Sequence, residues 1–337
     1  MFKKILLIVF ILIITSCHKN NPVSSTGNTQ QSTENKWIQK TSMPTARGYF
    51  CGAEVNGKIY LFGGIKDLSG HNSDDVEAYD PSTDTWTTKN KMPVKIFGQA
   101  AVELNRKIYV IGGRTGDLFG GTSLKYNYLY DPDTDSWTKK TDMPTSRAFI
   151  SVSAVNGNIY AIGGSMSGYS GTYVVQMYNP VSDTWTAKKS LQANRALLTS
   201  NVYNGKIYVI GGGDGQKADA GTSCAYFDVY DPETDTWSSK ADIAISRWGH
   251  GSGVINDKLY ICGGVTAISG SGTLLYDLYE YDINNDKWTN RASMPYHRRC
   301  FVTCTYNNKL FVFGGLTGNQ GAQQILNNVL EYTPSSK

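Results

Sequence analysis

The chain of 337 residues contains few charged residues, few prolines and few histidines. Charged residues make up 18%, and there are only 10 prolines and 4 histidines. Since 40% of the residues are hydrophobic, a largely disordered chain is excluded, because disorder requires low hydrophobicity together with high net charge. The formal net charge of +4 is also too small for the basic patch that a nucleic-acid-binding protein usually carries. We therefore expect a folded protein that does not bind nucleic acid.

Motifs for metal, nucleotide and hydrolytic chemistry are missing as well. The sequence has no C-x-x-C pair, no H-E-x-x-H, no glycine-rich phosphate loop and no serine nucleophile elbow. The turn 131–135 has the first three acidic positions of a calcium loop but lacks its glycine and its closing glutamate. We therefore expect no metal site and no cofactor.

The cysteines do not suggest a disulfide framework. There are six, at Cys17, Cys51, Cys224, Cys262, Cys300 and Cys304. If Cys17 carries a lipid, as the N-terminal residues described next indicate, five cysteines remain. Five is an odd number, so at least one thiol is free or bonds outside the chain. Cys300 and Cys304 lie four residues apart on one predicted strand, about 13 Å, which is too far for a mutual bridge. The pairing of the others stays open at this stage.

The N-terminus has the features of an export signal. Lys3 and Lys4 precede an apolar run from Ile5 to Ile14, which is shorter than the roughly 20 residues of a membrane-spanning helix. The run ends in residues 14–17, Ile-Thr-Ser-Cys, which resemble the lipobox of bacterial lipoproteins. This resemblance implies a signal peptide over 1–16 and acylation of Cys17; the alternative is a plain signal peptide with a chance cysteine.

Residues 17–36 are polar and are expected to form a flexible, lipid-anchored tether. Only Val23 is apolar between His18 and Lys36. Loss of residues 1–16 would remove two lysines and lower the formal charge to about +2. The expected location is the bacterial cell envelope, with the lipid as the only membrane contact and a monomeric folded domain.

Six copies of one unit fill residues 37–337. In each copy a tryptophan precedes a Gly-Gly doublet by 26 residues, and an Asn turn lies before the strand that ends in the doublet. Most copies also contain Tyr-Asp-Pro or a close variant, a typical turn signal. The tryptophans are Trp37, Trp86, Trp137, Trp185, Trp237 and Trp288, and the doublets begin at Gly63, Gly112, Gly163, Gly211, Gly263 and Gly314.

These doublets, turns and tryptophans resemble the Kelch repeat family. The resemblance implies an all-β, six-bladed β-propeller over 37–337, with one four-stranded sheet per repeat. The chain begins with a Trp strand, 37–40, and ends with a Tyr strand, 329–333. The N-terminal strand is therefore expected to complete the last blade, which closes the ring and removes a free edge.

Loop lengths indicate which face of the propeller binds. The separation from Tyr to Trp is constant within a repeat, whereas the separation from Gly-Gly to Tyr varies. The variable loop joins the second and third strands, so it lies on the same face as the links between repeats. We name this the loop face and expect binding there, since variable loops on a rigid scaffold usually carry function.

Ten residues after the repeat tryptophan, five of the six repeats have an arginine. The remaining repeat, which begins at Trp86, has Ile96 at this position. One interpretation is an anion site at the channel mouth, where guanidinium groups bind carboxylate or phosphate. The other is a latch, in which each side chain hydrogen-bonds carbonyls of a neighbouring blade. The five residues are Arg47, Arg147, Arg195, Arg247 and Arg298.

Aromatic and basic residues lie next to these arginines. They either stack on a sugar or peptide ligand or pack between blades. The ligand-binding candidates besides the five arginines are Tyr49, Phe149, Trp248 and Arg299, with Phe97, His250 and His297 close by in the sequence.

Two functions fit this pattern, and a scaffold without a small ligand is a third. The first is an envelope-tethered binding module that takes a protein segment or an acidic glycan or sugar. The second follows from resemblance, since secreted bacterial Kelch propellers include sialic acid (N-acetylneuraminate) mutarotases, which act on an anionic sugar. Such an enzyme needs a general acid or base, and His250 and His297 are the candidates. The near-uniform loops favour the binding module.

Overall fold

The computed structural model describes residues 34–117, 121–214, 222–267, 272–318 and 322–335. In these ranges the chain forms β-strands and no helix, and none of these segments is an apolar helix that could cross a membrane. The strands form six blades around a central channel, as the repeats predict. The predicted signal peptide, Cys17 and nearly all of the tether lie outside the described residues.

Blades 1–3 each contain four main antiparallel strands in chain order from the channel outwards. Blade 2 has an additional short strand, because its variable loop continues the sheet. The strand that opens the described chain is β1 (Lys36–Lys40). Blade 1 has β2 (Cys51–Val55), β3 (Lys58–Phe62), β4 (Val76–Asp80) and β5 (Thr85–Lys89); blade 2 has β6 (Phe97–Leu104), β7 (Lys107–Thr115), β8 (Thr122–Ser123), β9 (Asn127–Asp131) and β10 (Ser136–Lys139); blade 3 has β11 (Ser151–Val155), β12 (Asn158–Ile162), β13 (Val175–Asn179) and β14 (Thr184–Lys188).

Blades 4–6 repeat this arrangement. A short two-stranded sheet extends the variable loop of blade 4. Blade 4 has β15 (Thr199–Tyr203), β16 (Lys206–Ile210), β17 (Gly213–Asp214), β18 (Thr222–Ser223), β19 (Phe227–Asp231) and β20 (Thr236–Ser239); blade 5 has β21 (Gly251–Ile255), β22 (Lys258–Cys262), β23 (Leu278–Asp282) and β24 (Lys287–Arg291); blade 6 has β25 (Val302–Tyr306), β26 (Lys309–Thr317) and β27 (Gln324–Thr333).

The N-terminal strand closes the ring. β1 pairs antiparallel with β27, and Trp37 lies opposite Tyr332. The last sheet has the order β1-β27-β26-β25, so its outer strand comes from the other end of the chain. The predicted closure is confirmed, and it joins the first and last blades without a free sheet edge between them.

Each repeat tryptophan joins two blades. Trp86 lies opposite Tyr79 in its own sheet, with ring centroids 4.9 Å apart. Its indole Nε1 donates to the carbonyl of Thr41, which follows the outer strand of the preceding blade. The Tyr79 hydroxyl donates to Asp84, which also accepts the backbone N–H of Thr41. The acidic residues of these turns therefore hold blades together.

The hairpin turns between first and second strands keep positive backbone angles even without glycine. Asn105 and Arg106 have φ of 55° and 60°, which a two-residue type I′ turn requires. Arg106 thus keeps the turn that glycine forms in other repeats, in a region that side chains rarely adopt. Arg106 therefore adds backbone strain to this turn without changing the turn type.

Candidate functional site

The five repeat arginines are buried inside the blades. Their side chains donate to backbone carbonyls at the ends of the variable loop: Arg147 Nη1 lies 2.7 Å from the Gly163 oxygen, at its start, and 3.0 Å from the Val174 oxygen, at its end. Arg47, Arg147, Arg195, Arg247 and Arg298 have no exposed surface. These groups therefore do not reach a ligand in the channel mouth, and the predicted anion site at these five residues is corrected to a structural latch.

The main chain of the same residues contacts the preceding blade. The carbonyl of Arg147 accepts the N–H of Gly113, at a nitrogen–oxygen distance of 3.0 Å. Each latch residue thus links two blades, with its carbonyl on one and its guanidinium on the next. Ile96 keeps the backbone half of this link, since its carbonyl accepts the Gly64 N–H at 2.8 Å, and it lacks only the side-chain half.

Acidic and amide side chains satisfy several of the buried guanidinium groups. Arg47 pairs with Glu77, Arg195 with Asp228 and Arg247 with Asp277, whereas Arg147 uses the amide oxygen of Gln176. Burial lowers the pKa of Arg147 to about 10, so it stays charged at neutral pH. A buried cation that has good partners is consistent with a structural role.

A ring of backbone hydrogen bonds closes the channel next to these latches. One residue from each inter-blade link has a left-handed conformation, and each donates its N–H to the carbonyl of the equivalent residue in the preceding blade. The shortest nitrogen–oxygen distance is 2.6 Å and the longest is 3.0 Å. The six residues of this backbone ring are Tyr49, Gly98, Phe149, Leu197, Gly249 and Cys300.

Aromatic side chains cover the backbone ring on the loop face. Tyr169, from the variable loop of blade 3, stacks on Phe149 with centroids 5.2 Å apart and lies 6.2 Å from the Trp248 ring. Its hydroxyl is 3.4 Å from that of Tyr49. Tyr49, Phe149 and Trp248 are buried, and Tyr169 is half-buried. The predicted aromatic candidates therefore meet at one place, together with a residue that the sequence did not indicate.

Two arginines outside the latch set flank Tyr169. The guanidinium carbon of Arg299 lies 5.6 Å from the centroid of Trp248, and that of Arg114 lies 5.1 Å from the centroid of Phe149. Burial raises the pKa of Tyr169, and the charges of Arg299 and Arg114 oppose that rise. We define the loop-face centre as Tyr49, Arg114, Phe149, Tyr169, Trp248 and Arg299.

Three buried N–H donors at the loop-face centre have no acceptor among the described residues. They are Nε and Nη1 of Arg114 and the indole Nε1 of Trp248. Nη2 of Arg114 donates to the Ser123 hydroxyl at 3.2 Å. Burial lowers the pKa of Arg114, and Tyr169 and Asp117 act in the opposite direction. Since most buried polar groups in proteins are satisfied, these donors favour an oxygen-rich ligand here.

The two candidate histidines lie in different surroundings. His250 is buried and lines the channel cavity, where Nε2 is 2.9 Å from the Thr199 hydroxyl. Burial, with a smaller effect of Arg247, lowers its pKa to about 3. His297 is exposed, contacts the Thr317 hydroxyl and does not line that cavity. The structure does not bring them together as an acid–base pair.

The described cysteines form no disulfide bond with one another, and burial raises the pKa of Cys262 to about 12. Within the described ranges no group of three or more His, Cys, Asp or Glu side chains has metal-binding geometry.

Comparison with known families assigns the repeats. The sequence matches the KLHDC2/KLHL20/DRC7 Kelch-repeats domain over residues 23–164 and 197–337, and a Kelch motif over 146–192. The chain belongs to the Kelch-repeat family. The Kelch propeller contains the six repeats that the sequence indicated.

Relatives of this Kelch propeller include two longer proteins. It is 41% identical over 218 residues to rat Kelch-like protein 7, covering 64% of this chain and 36% of that protein, and 26% identical over 207 residues to human Kelch-like protein 34, covering 61% and 31%. The chain spans about a third of the length of these relatives. The solved structure of YjhT has a TM-score of 0.73 at 17% identity and covers 86% of this chain and 96% of YjhT, a likeness in fold.

Arg114, like Tyr169, is a residue of the loop-face centre that the sequence analysis did not indicate. It follows the doublet Gly112-Gly113, where the other repeats have small or aliphatic residues. A comparison of the six repeats would have singled it out, because it is the one charged residue that directly follows a Gly-Gly doublet. The other members at this position are Ile65, Ser165, Gly213, Val265 and Leu316.

Proposed function

We propose that this Kelch propeller is a binding module that takes an acidic protein segment at the loop-face centre. The observation that carries the proposal is the pair of arginines outside the latch set, Arg114 and Arg299, on either side of Tyr169. Neither side chain forms an ion pair with a described carboxylate, whereas three of the latch arginines do.

The two arginines have different roles in the proposal. Arg299 is half-buried and offers its guanidinium directly to a carboxylate, with the Trp248 ring fixing its plane. Arg114 is buried, so its charge acts through a medium that screens less than water does. An anion that contacts Arg299 and Tyr169 therefore gains from both charges.

A protein partner is favoured by the apolar groups around the loop-face centre. Tyrosine and methionine side chains that are about half exposed lie on the loop face, and these residue types are enriched at protein interfaces. They come from the variable loops and links of blades 3–5, which makes this side of the face aromatic. They are Met166, Tyr173, Tyr226, Tyr276 and Tyr296.

The test is a peptide-binding screen on the full chain, read by fluorescence polarisation, with acidic peptides and sequence-matched basic ones. Acidic peptides should bind selectively, and Arg299→Gln should weaken binding about tenfold. Arg114→Gln should weaken it by a smaller factor. Arg106→Gln is the matched control, because Arg106 lies on the opposite face with a largely exposed side chain.

Equal binding of acidic and basic peptides, or equal effects of Arg299→Gln and Arg106→Gln, would overturn the proposal. An acidic glycan in the same screen tests the other ligand class that the sequence favoured. We do not extend the proposal to a sialic acid mutarotase, because His250 and His297 do not share a cavity and a histidine with a pKa of about 3 is a poor general acid near neutral pH.

We also propose that the domain is held at the bacterial envelope by acylated Cys17. The support is the sequence of residues 1–17, with its basic start, short apolar run and terminal Ser-Cys. Labelled fatty acid should be incorporated into the full chain in a bacterial host and lost in Cys17→Ala. Incorporation that persists in Cys17→Ala would contradict the assignment.

A further inference from the structure

A cavity of about 250 Å³ occupies the channel on the other side of the backbone ring from the loop-face centre. The ring residues form its closed end, and the first strands of the blades form its wall. Arg114, Tyr169, Trp248 and Arg299 do not line it. The space corresponds to about eight water molecules and lies below the roughly 300 Å³ at which drug-sized sites begin.

The wall of this cavity carries no charge. No aspartate, glutamate, lysine or arginine side chain is among the lining residues. The one titratable nitrogen base, His250, is neutral at physiological pH because burial lowers its pKa to about 3. A charged ligand would lose its hydration here without gaining a counter-charge, so the cavity selects against ions.

Hydrogen-bonding groups are nevertheless abundant on one side of the wall. The Ser200 hydroxyl lies 2.7 Å from that of Ser151, and the Asn201 amide donates to the Ser252 hydroxyl at 2.6 Å. The Thr303 hydroxyl donates to the Ser252 carbonyl at 2.7 Å and accepts its N–H at 3.0 Å. Blades 3–6 therefore present a network of hydroxyl and amide groups.

Blades 1 and 2 lack this network. At positions equivalent to Ser252 they have Gly52 and Ala101, which offer no hydroxyl to a neighbouring strand. The first strand of each blade is an edge strand, paired on one side only, so some of its backbone N–H and C=O groups face the channel. Gln99 Oε1 and His250 Nδ1, which are also buried in this wall, have no hydrogen-bond partner within the part of the chain that the structure describes.

We propose that this channel cavity binds a small, neutral, polyhydroxylated molecule of about the size of one monosaccharide. Hydroxyl groups donate and accept, so such a ligand would supply both partners to the unpaired groups of blades 1 and 2 while bonding the network of blades 3–6. Its lack of charge matches the uncharged wall. The proposal is independent of the acidic segment proposed for the loop face, because the backbone ring separates the two sites.

The experiment is saturation-transfer NMR on the full chain with glucose, galactose, mannose and myo-inositol as probes. Glucuronate tests the exclusion of charge, and maltotriose tests the size limit. Two variants change the cavity: Ser200→Ala removes a hydroxyl without adding bulk, and Ala101→Leu adds carbons to the wall. Thr88→Val is the matched control, since Thr88 is an exposed hydroxyl on an outer strand. Thermal midpoints confirm that each variant folds.

At least one neutral probe should receive saturation, whereas glucuronate and maltotriose should not. Ser200→Ala should weaken that binding about fivefold, Ala101→Leu should abolish it, and Thr88→Val should leave it unchanged. Arg299→Gln should also leave it unchanged, which separates this site from the loop-face centre. No transfer to any neutral probe, or transfer that persists in Ala101→Leu, would overturn the proposal.

Discussion

Arg147 is held by uncharged acceptors: the carbonyls of Ala161, Gly163 and Val174 and the Gln176 amide oxygen. Removing the side chain would take the donor from the Gly163 carbonyl and the Gln176 amide oxygen, at about 1–3 kcal/mol for each one, whereas the Val174 carbonyl would still accept the Gly163 N–H. We therefore expect Arg147→Ala to lower the free energy of unfolding by about 3 kcal/mol or more, measured by urea denaturation. The control is Arg106→Ala, at an exposed turn. An unchanged unfolding midpoint for Arg147→Ala would contradict the latch assignment.

His250 makes stability depend on pH in a defined direction. Its folded pKa of about 3 lies below the ordinary value of 6.5, so between these values the unfolded chain binds a proton that the folded chain does not. Stability should therefore fall as the pH falls below about 6.5, by about 1.4 kcal/mol per pH unit from this residue.

The measurement is the free energy of unfolding between pH 7 and about pH 5, above the range in which carboxylates titrate. His250→Gln should flatten this slope, whereas His297→Gln, at an exposed histidine, should not. Equal slopes for the unmodified chain and His250→Gln would show that His250 is protonated in the fold.

Among the structural elements, the backbone ring leaves little room for an added side-chain carbon at Gly98. Gly98 has φ of +66°, and a Cβ there would lie 2.7 Å from the Phe149 ring. Gly98→Ala should therefore destabilise the fold by more than the about 1 kcal/mol expected for backbone strain alone, and should shift Phe149 against Tyr169.

Gly157→Ala is the matched control for the ring. Gly157 has φ of +75° with nothing within 4 Å of the added carbon, so it reports the cost of the backbone angle without the steric contact. Thermal unfolding and near-UV circular dichroism give the comparison. Equal losses in the two variants would mean that Phe149 adapts and that the ring is not tightly packed.

The sequence was sufficient to predict the strands of each blade, because the same pattern of residues recurs in all six repeats. The Trp-to-doublet spacing and the Tyr-Asp-Pro turn give strand order, blade number and the closing strand, and all three are confirmed. The backbone ring could not be predicted, because its six residues share a left-handed angle and not a residue type. Tyr49, Phe149 and Cys300 share a position 12 residues after a repeat tryptophan, but no residue type that reveals such a ring.

At the scale of the whole molecule, the direction of each arginine side chain determines whether it forms a latch or faces a ligand. The sequence left this choice open. Arg298 and Arg299 are neighbours, yet Arg298 points into a blade, where it bonds the Gly314 carbonyl, and Arg299 lies over Trp248. Spacing alone cannot distinguish a latch from a ligand group, since both require an arginine at the same distance from the tryptophan. Packing between blades decides this, and packing depends on residues far apart in the chain.

The tryptophans give the most direct test of the loop-face centre. Six of the seven lie on outer strands, where each indole N–H is bonded to a carbonyl near the neighbouring blade. Trp248 lies at the loop-face centre, and no described residue accepts its indole N–H. Nitrogen-15 NMR resolves seven indole signals during titration with an acidic peptide selected in the screen. Binding at the loop-face centre should shift the Trp248 signal and leave the other six in place. A titration that shifts the outer-strand signals while Trp248 stays unchanged would place the ligand elsewhere and contradict the account.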